Sequence, residues 1–305
     1  MLPKKLTWSK AATNTKHPHN AFVVEIPVEV KKELYVAALN AYEEGINDPD
    51  QVAACSKLVY YIICSHIGTV DGSARGKLFD VKNNHIDAMD GKNDNVLFSV
   101  SDCEATWHTD GASKDKVYDC VGLLCINPSG AGGKSKITNA CNAFDSVDHI
   151  LPKFMMHELT RPIPRDIFEN GKGRGKDNVG TQLGRTKSIL RLRISYNSYP
   201  IYVTKKGRIR FRYMHHWIET AHEKVRLRLP TMLRIAMGVL DDTLTEGCCF
   251  HERLERGGGD ILICNNSCVA HGRNVLQDVQ GQPSRHLVRA WIQCQGVGLY
   301  EASKR

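Results

Sequence analysis

The segment Trp107-His-Thr-Asp-Gly111 puts an imidazole and a carboxylate two residues apart. Alternate side chains of an extended strand share a face, so His108 and Asp110 would point to one spot while Thr109 turns away. A third group of the same chemistry lies far along the chain. His271 sits in Asn265-Asn-Ser-Cys-Val-Ala-His-Gly-Arg273, just after the apolar run Asp260-Ile-Leu-Ile-Cys264. Two histidines and one carboxylate occupy one face of an octahedral metal and leave other positions open, the ligand set of non-haem Fe(II) oxygenases. Zinc could take the same ligands, because affinity alone does not select iron, so a zinc-dependent hydrolase is the competing chemistry. With thirteen histidines in the chain, His-x-Asp alone also arises by chance. The ordinary roles would then be a hydrogen-bonded core histidine and a turn cap before Gly111.

The elements that must position these residues are a helical preface and a strand-rich body. Glu33 to Glu44 carries Val36, Leu39 and Tyr42 at near-helical spacing and is stopped by Gly45 and Asn47-Asp48-Pro49. A second helix is expected from Gln51 to about Ser65, with Val52, Leu58, Val59, Ile62 and Ile63 as its apolar positions, and the two helices should cover a sheet. Val96–Val100, Val121–Ile126 and Ile189–Ser195 read as strands, the last alternating apolar and basic residues. Ile201–Val203 and Arg208–Tyr213 form an expected hairpin around Lys205-Lys206-Gly207, and Pro230 to Leu244 an expected helix. Asp260–Cys264 and His286–Gln293 return to strand, and the glycine-rich stretch 171–175 reads as a loop. The whole is expected to be one domain, 1–305, with a helical part at about 20–70 packed on a β core at about 90–300.

Composition narrows the classes further. At 305 residues, with 42% hydrophobic and 24% charged residues, the chain can bury its own core and is neither disordered, collagen-like nor coiled-coil. The eleven cysteines form no C-x-x-C pair and read mainly as buried small apolar residues in a reducing compartment. No signal-length apolar stretch follows the basic start and no run of 18 apolar residues occurs, so a cytoplasmic protein with no membrane span is expected. The formal charge of +8 is concentrated between Arg185 and Arg234, where thirteen Lys or Arg face only Glu219 and Glu223. Without a zinc-finger, leucine-zipper or RNA-recognition motif, nucleic acid is not the expected partner. A basic solvated face or attraction of an anionic small molecule remains.

Further motifs come in a fixed order: Gly132-Gly-Lys-Ser135, 27 residues beyond His108; Gly259-Asp260; Asn266 through His271-Gly-Arg273; and Arg285 and Arg289, at offsets of 14 and 18 from His271. With Trp107-His-x-Asp110, this series resembles the TauD/TfdA-type family of Fe(II)- and 2-oxoglutarate-dependent dioxygenases, over roughly Val96 to Gln293. The offsets are most similar to the branch that hydroxylates free amino acids. The resemblance implies a mainly β fold with flanking helices, a double-stranded β-helix or jelly roll. It implies Fe(II) held by His108, Asp110 and His271, with 2-oxoglutarate and O2 as co-substrates. Succinate and CO2 would leave as an unactivated C–H bond is hydroxylated, with desaturation or cyclisation as variants. The retained acid at Asp110 disfavours halogenation.

The family's hydroxyl near the co-substrate falls on Ser135, where threonine is commoner, and its arginine pair on Arg285 and Arg289. Four apart on an expected strand, the two arginines would share a face, where a guanidinium fork holds the distal carboxylate of 2-oxoglutarate; Arg285 is the favoured clamp. Gly132 and Gly133 would serve a turn or a close approach. Trp107 reads as core packing, and the His215-His216 pair as structural rather than as a second metal site. Substrate contacts are sought at Arg212 and Arg273, for a small polar or amino-acid-like molecule; a homo-oligomer is compatible with the sequence. The non-enzymatic alternative is a jelly-roll binding protein that kept its metal.

Overall fold

A computed structural model describes residues 49–71, 76–82, 104–111, 117–166, 197–205, 208–247, 249–250, 259–277 and 279–294. The expected helix at Glu33–Glu44, the strands at Val96–Val100 and Ile189–Ser195 and the stretch 171–175 lie outside the described residues.

Two antiparallel sheets carry the fold. The larger contains β1 (Thr69–Val70), β2 (Leu78–Lys82), β4 (Cys120–Asn127), β12 (Ile261–Asn265) and β15 (His286–Gln293), ordered β1-β15-β4-β12 with β2 also paired to β15. The smaller is ordered β11-β6-β13-β3, from β3 (Ala105–His108), β6 (Ser135–Asn139), β11 (Cys249–Phe250) and β13 (Val269–Arg273). Three two-stranded ribbons flank them: β5 (Ala131–Gly132) with β14 (Leu276–Gln277), β7 (Ile163–Pro164) with β8 (Ser198–Tyr199), and β9 (Tyr202–Lys205) with β10 (Arg208–Phe211). The last pair is the hairpin expected from the sequence.

Burial explains the layers. β4 lies between β15 and β12, and its first six residues are all buried. Both its faces are covered, which is why it reads as an unbroken apolar run. Between the sheets, Phe79, Leu123, Leu262, Cys264 and Leu287 of the larger meet Ile137 and Val269 of the smaller. On the outer face of the larger sheet, helix α1 (Pro49–Ile67) packs Tyr60 and Cys64 against Leu124, Val288 and Ala290.

The helix is the expected one, and Ile63 packs on the sheet as expected, but Val52, Leu58 and Ile62, also read as apolar positions, are exposed, because the docking face runs along the i, i+4 pair Tyr60 and Cys64. Beyond the smaller sheet lie α2 (Ala140–Ile150), α3 (Lys153–Thr160) and α5 (Thr231–Glu246), in a cluster with Trp107, Tyr202 and Phe211; α4 (His215–Lys224) adds Ile218. Asn139, the last residue of β6, caps α2 by accepting from the Cys141 and Asn142 amides at 3.0 and 3.1 Å. Cys64, Cys120, Cys125, Cys141, Cys264 and Cys268 are buried, as expected of small apolar residues. Among the described residues, no helix is long and apolar enough to cross a membrane.

Candidate metal centre

Strand pairing brings the three separated ligand candidates together. β13 runs antiparallel to β3 with His271 opposite His108, and the ring centroids are 4.3 Å apart. β3 ends at His108, so Asp110 is not on the strand as expected; it stands in the turn that follows, closed by Gly111 at φ 70°. Alternation therefore does not aim its carboxylate. Asn266 does, by accepting from the Asp110 amide at 2.8 Å and donating through Nδ2 to the Asp110 and Tyr118 carbonyls at 2.9 and 3.1 Å. The Asp110 Oδ1 atom then lies 3.8 Å from His108 Nε2 and 3.5 Å from His271 Nε2.

The donor atoms fit a divalent metal. His108 Nδ1–H donates to the Thr106 carbonyl at 2.7 Å, which leaves the Nε2 lone pair for a ligand. His271 is buried, and neither of its ring nitrogens has a hydrogen-bond partner. A buried imidazole without a partner is costly in a folded chain, and a metal removes that cost. An octahedral face with bonds of about 2.1 Å sets adjacent donors about 3 Å apart, so the two carboxylate–imidazole separations, 3.8 and 3.5 Å, need only a small contraction. No other cluster of three ligating groups occurs among the described residues.

Electrostatics keep the ligands in their binding protonation states. Burial, and then the neighbouring His271, push the His108 pKa down to about 3, so its ring is neutral at pH 7. Burial alone would raise the Asp110 pKa. The Arg289 guanidinium and the two histidines outweigh it and hold the carboxyl well below the usual carboxylate range. Arg289 Nη1 donates to Oδ1 at 3.2 Å and lies 3.1 Å from Oδ2 in the same ion pair, and Trp291 Nε1 donates to Oδ2 at 2.6 Å. Trp291 is fixed in turn by stacking on Tyr118 (centroids 4.6 Å, 8° between planes) and by an edge contact with Phe79.

Ser135 and Arg285 meet, with Arg285 Nη2 donating to Ser135 Oγ at 3.3 Å; both are buried. Gly133 makes room for this pair. It adopts φ 67°, and a Cβ there would lie 2.7 Å from Leu276 Cδ1 and 3.2 Å from Arg285 Cδ, the close approach anticipated for the glycine pair. Arg285, just before β15, and Arg289 both reach toward the smaller sheet, as their spacing of four implies, but they meet different groups: Arg285 lies on Ser135 and Arg289 on Asp110. Arg273 is buried opposite Ser135 in the β13–β6 register.

Arg212 borders the centre from another side. Its Nη2 donates to the Gly111 carbonyl at 3.2 Å, and its guanidinium lies 3.6 Å from the Tyr199 ring centroid. The next residue, Tyr213, accepts from the Thr109 amide at 2.9 Å and donates its own amide to Thr109 Oγ1 at 3.1 Å. His215 opens α4 and binds Asp241 at 2.6 Å, in keeping with a structural role. Trp107 is buried, as expected, with Nε1 donating to Thr245 Oγ1 at 2.9 Å. Sequence reasoning missed Trp291, although its place two residues after Arg289 on one strand was a usable signal. It also gave Asn266 no role, though Asn266 opens the motif that ends at Arg273.

A family model described as "Taurine catabolism dioxygenase TauD, TfdA family" matches residues 45–291. Among solved structures, asparagine oxygenase superposes with a TM-score of 0.55 at 14% identity, over 79% of this chain and 64% of that one. The same enzyme in complex with Fe(II), 2S,3S-3-hydroxyasparagine and succinate gives 0.54 at 15%, over 78% and 65%. Non-haem iron oxygenase OrfP, in complex with Fe, succinate and (3S)-hydroxy-L-Arg, gives 0.54 at 17%, over 78% and 67%. The chain thus spans less than two thirds of the asparagine oxygenase chains, and at these identities the likeness is one of fold. No curated protein matches the sequence.

Proposed function

The chain belongs to the taurine catabolism dioxygenase TauD, TfdA family, and from that premise we propose that it is an Fe(II)- and 2-oxoglutarate-dependent dioxygenase hydroxylating an unactivated C–H bond of a small polar, amino-acid-like substrate. The observation that carries this reading is the buried His108–Asp110–His271 cluster with its two unpartnered His271 nitrogens. The two facing antiparallel sheets support a double-stranded β-helix as its frame. An amino-acid substrate is favoured by the hydroxyasparagine and hydroxyarginine in the complexes of the structural neighbours.

Bound iron and 2-oxoglutarate would supply oxidative chemistry, with decarboxylation of the oxo acid to succinate and CO2 driving insertion of one oxygen atom into the substrate. The chain's own residues do the holding. His108, Asp110 and His271 present one nitrogen, one oxygen and one nitrogen to the ion. Asn266, Trp291 and Arg289 keep the carboxylate from rotating away. Arg285, with Ser135 beside it, offers buried donors to the distal carboxylate of the co-substrate. The three ligand side chains are themselves buried, which limits their exposure to bulk water.

Anaerobic titration with Fe(II) and then 2-oxoglutarate, followed by visible absorption and calorimetry, tests the reading. Wild type is expected to bind both and to develop a charge-transfer band. His108→Ala should lose the metal, and Arg285→Ala should keep the metal and bind 2-oxoglutarate more weakly. Folded wild type that binds Fe(II) but no 2-oxoglutarate overturns the assignment, and hydrolytic activity with zinc alone would install the hydrolase in its place.

A further inference from the structure

Cys120 opens β4 and Cys294 follows the last residue of β15, and their sulfurs lie 3.9 Å apart across 174 residues of sequence. The register sets Ile292 opposite Cys120, so Cys294 stands one alternate position further along the same face. That is the outer face of the larger sheet. Cys120 belongs to the apolar cluster under α1, and Cys294 packs against it. Trp291 faces the other way, into the layer between the sheets, where it reaches Asp110. The two thiols therefore take no part in the reaction proposed above.

The two sulfurs differ in setting. Cys120 is buried, whereas Cys294 is only partly so. A hydrogen bond from the Cys120 thiol stabilises the Cys294 thiolate and lowers its pKa, although burial and Asp119 oppose the shift. The same contact, and then burial, push the Cys120 pKa up. One sulfur is thus poised as a nucleophile and the other is kept as its protonated partner. The backbone favours closure as well. The Cys294 amide donates to Asp119 Oδ2 at 3.0 Å and Gln293 Nε2 reaches the same oxygen, which ties the end of β15 to the residue before Cys120. A disulfide sets its sulfurs about 2.05 Å apart. Cys294, beyond the β15 ladder, is free to swing in by the missing distance. Cys141 and Cys268 make a second hydrogen-bonded pair, but both of these are buried.

We propose that Cys120 and Cys294 form a redox modification site, a dithiol that a peroxide converts into a disulfide stapling the end of β15 to the start of β4. With hydrogen peroxide, the Cys294 thiolate attacks one oxygen and the O–O bond breaks. Cys294 becomes a sulfenic acid, and the departing hydroxide takes up the proton that Cys294 had released, leaving as water. The Cys120 sulfur then attacks the Cys294 sulfur. The S–S bond forms, the S–O bond breaks, and hydroxide leaves with the Cys120 proton as a second water. The thiols lose two electrons and the peroxide gains them; a thiol reductant reverses the change. The staple braces residues 118–120, where Tyr118 stacks on Trp291 and the Tyr118 and Asp119 carbonyls accept from Asn266. Oxidation therefore stabilises the chain at the support of Asp110. This inference does not depend on the dioxygenase reading.

The test treats metal-free, full-length protein with hydrogen peroxide, alkylates it without reduction, and maps the digest by mass spectrometry. A peptide joining Cys120 to Cys294, two hydrogens lighter than the thiols and opened by dithiothreitol, is expected. The oxidised protein should melt about 5 °C or more above the reduced form. Cys294→Ser should gain nothing from peroxide, while Cys55→Ser, at an exposed cysteine, should keep the full response. Cys120→Ser should leave Cys294 as a sulfenic acid that dimedone traps, which a thiol serving only to pack would not do. Absence of the Cys120–Cys294 link under conditions that oxidise Cys55 overturns the proposal. So does a link that leaves the melting temperature unchanged or lowers it, or a peroxide response that survives Cys294→Ser. Should either variant fail to fold, mapping and melting of wild type still decide.

Discussion

Replacing Asn266 by alanine tests whether the carboxylate ligand is aimed by its backbone latch. The Asn266 side chain is wholly buried and makes three hydrogen bonds, at 2.8 and 2.9 Å to the two backbone groups of Asp110 and at 3.1 Å to the Tyr118 carbonyl. A net hydrogen bond contributes about 1 kcal/mol, and a buried group left unsatisfied costs about 1–3 kcal/mol. Asn266→Ala strips one amide and two carbonyls at once, so the expected loss is about 3–5 kcal/mol, a large share of a typical domain's stability. Urea denaturation of the metal-free protein would read this as a lower midpoint at unchanged slope. Fe(II) affinity should fall in parallel, since the turn bearing Asp110 is no longer fixed opposite His271. Asn266→Asp is expected to be no milder despite its similar shape, because it sets a carboxylate oxygen against two carbonyls. An alanine variant within about 1 kcal/mol of wild type, with unchanged Fe(II) affinity, would refute the latch.

Other substitutions probe separate supports of the same centre. Trp291→Phe keeps the stack on Tyr118 but removes the 2.6 Å donor to Asp110 Oδ2, so metal-free stability should drop by about 1.5–3 kcal/mol in chemical denaturation; a neutral result would deny that bond its role. Gly133→Ala should cost about 1–2 kcal/mol for its left-handed backbone, plus the clash with Leu276, and should weaken 2-oxoglutarate in calorimetry. Gly238→Ala in α5 is the control, where an added Cβ meets nothing within 4 Å and stability should rise by about 0.5–1 kcal/mol. His215 supplies a pH signature. Burial would lower its pKa, but Asp241 and then Glu219 prevail and raise it, so its stabilising charge is fully present below the ordinary histidine value of about 6.5 and is lost as pH rises through the folded value. His215→Ala should flatten stability above that pH, and an unchanged pH dependence would contradict the ion pair.

The larger sheet was legible because its strands carry their signals locally. β4, β12 and β15 are apolar runs of strand length, and the β9–β10 hairpin announced itself through Lys206-Gly207 between β-formers. Helices α2 and α3 went unread. α2 starts at the last residue of a strand with only Asn139 as a cap, and α3 is a short segment whose buried positions are just Met156 and Leu159. The apolar side of α1 misled for a related reason. Tyr60 and Cys64, which dock on the sheet, count as weakly apolar, whereas Val52, Leu58 and Ile62 are more hydrophobic yet face outward. The three metal-ligand candidates were legible because His-x-Asp, weak alone, stands in an ordered series with Gly132-Gly-Lys-Ser135, Asn266 to Arg273 and the two arginines. What aims them was not: a turn replaced the expected strand at Asp110, and the latch from Asn266 spans 156 residues of sequence.

Alternation along β15 brings two donors to the carboxylate of Asp110. Oδ2 accepts from Trp291 at 2.6 Å and lies 3.1 Å from Arg289 Nη1 in an ion pair, the two groups projecting from alternate positions of β15. Oδ1 has one weaker bond, 3.2 Å from Arg289, and faces both histidine Nε2 atoms. A cation drawn to the histidines therefore meets Oδ1, while Oδ2 stays engaged with the sheet and resists a switch to two-oxygen coordination. The arrangement has a cost, since a guanidinium so close lowers the negative potential available to a metal. In exchange, the carboxylate is held ionised and oriented before any metal arrives, so that binding spends little on ordering it. Arg285 has the same parity as Arg289 and Trp291 and reaches Ser135 of the smaller sheet, so one face of this stretch of chain serves the carboxylate ligand and the co-substrate pair at different points along its length.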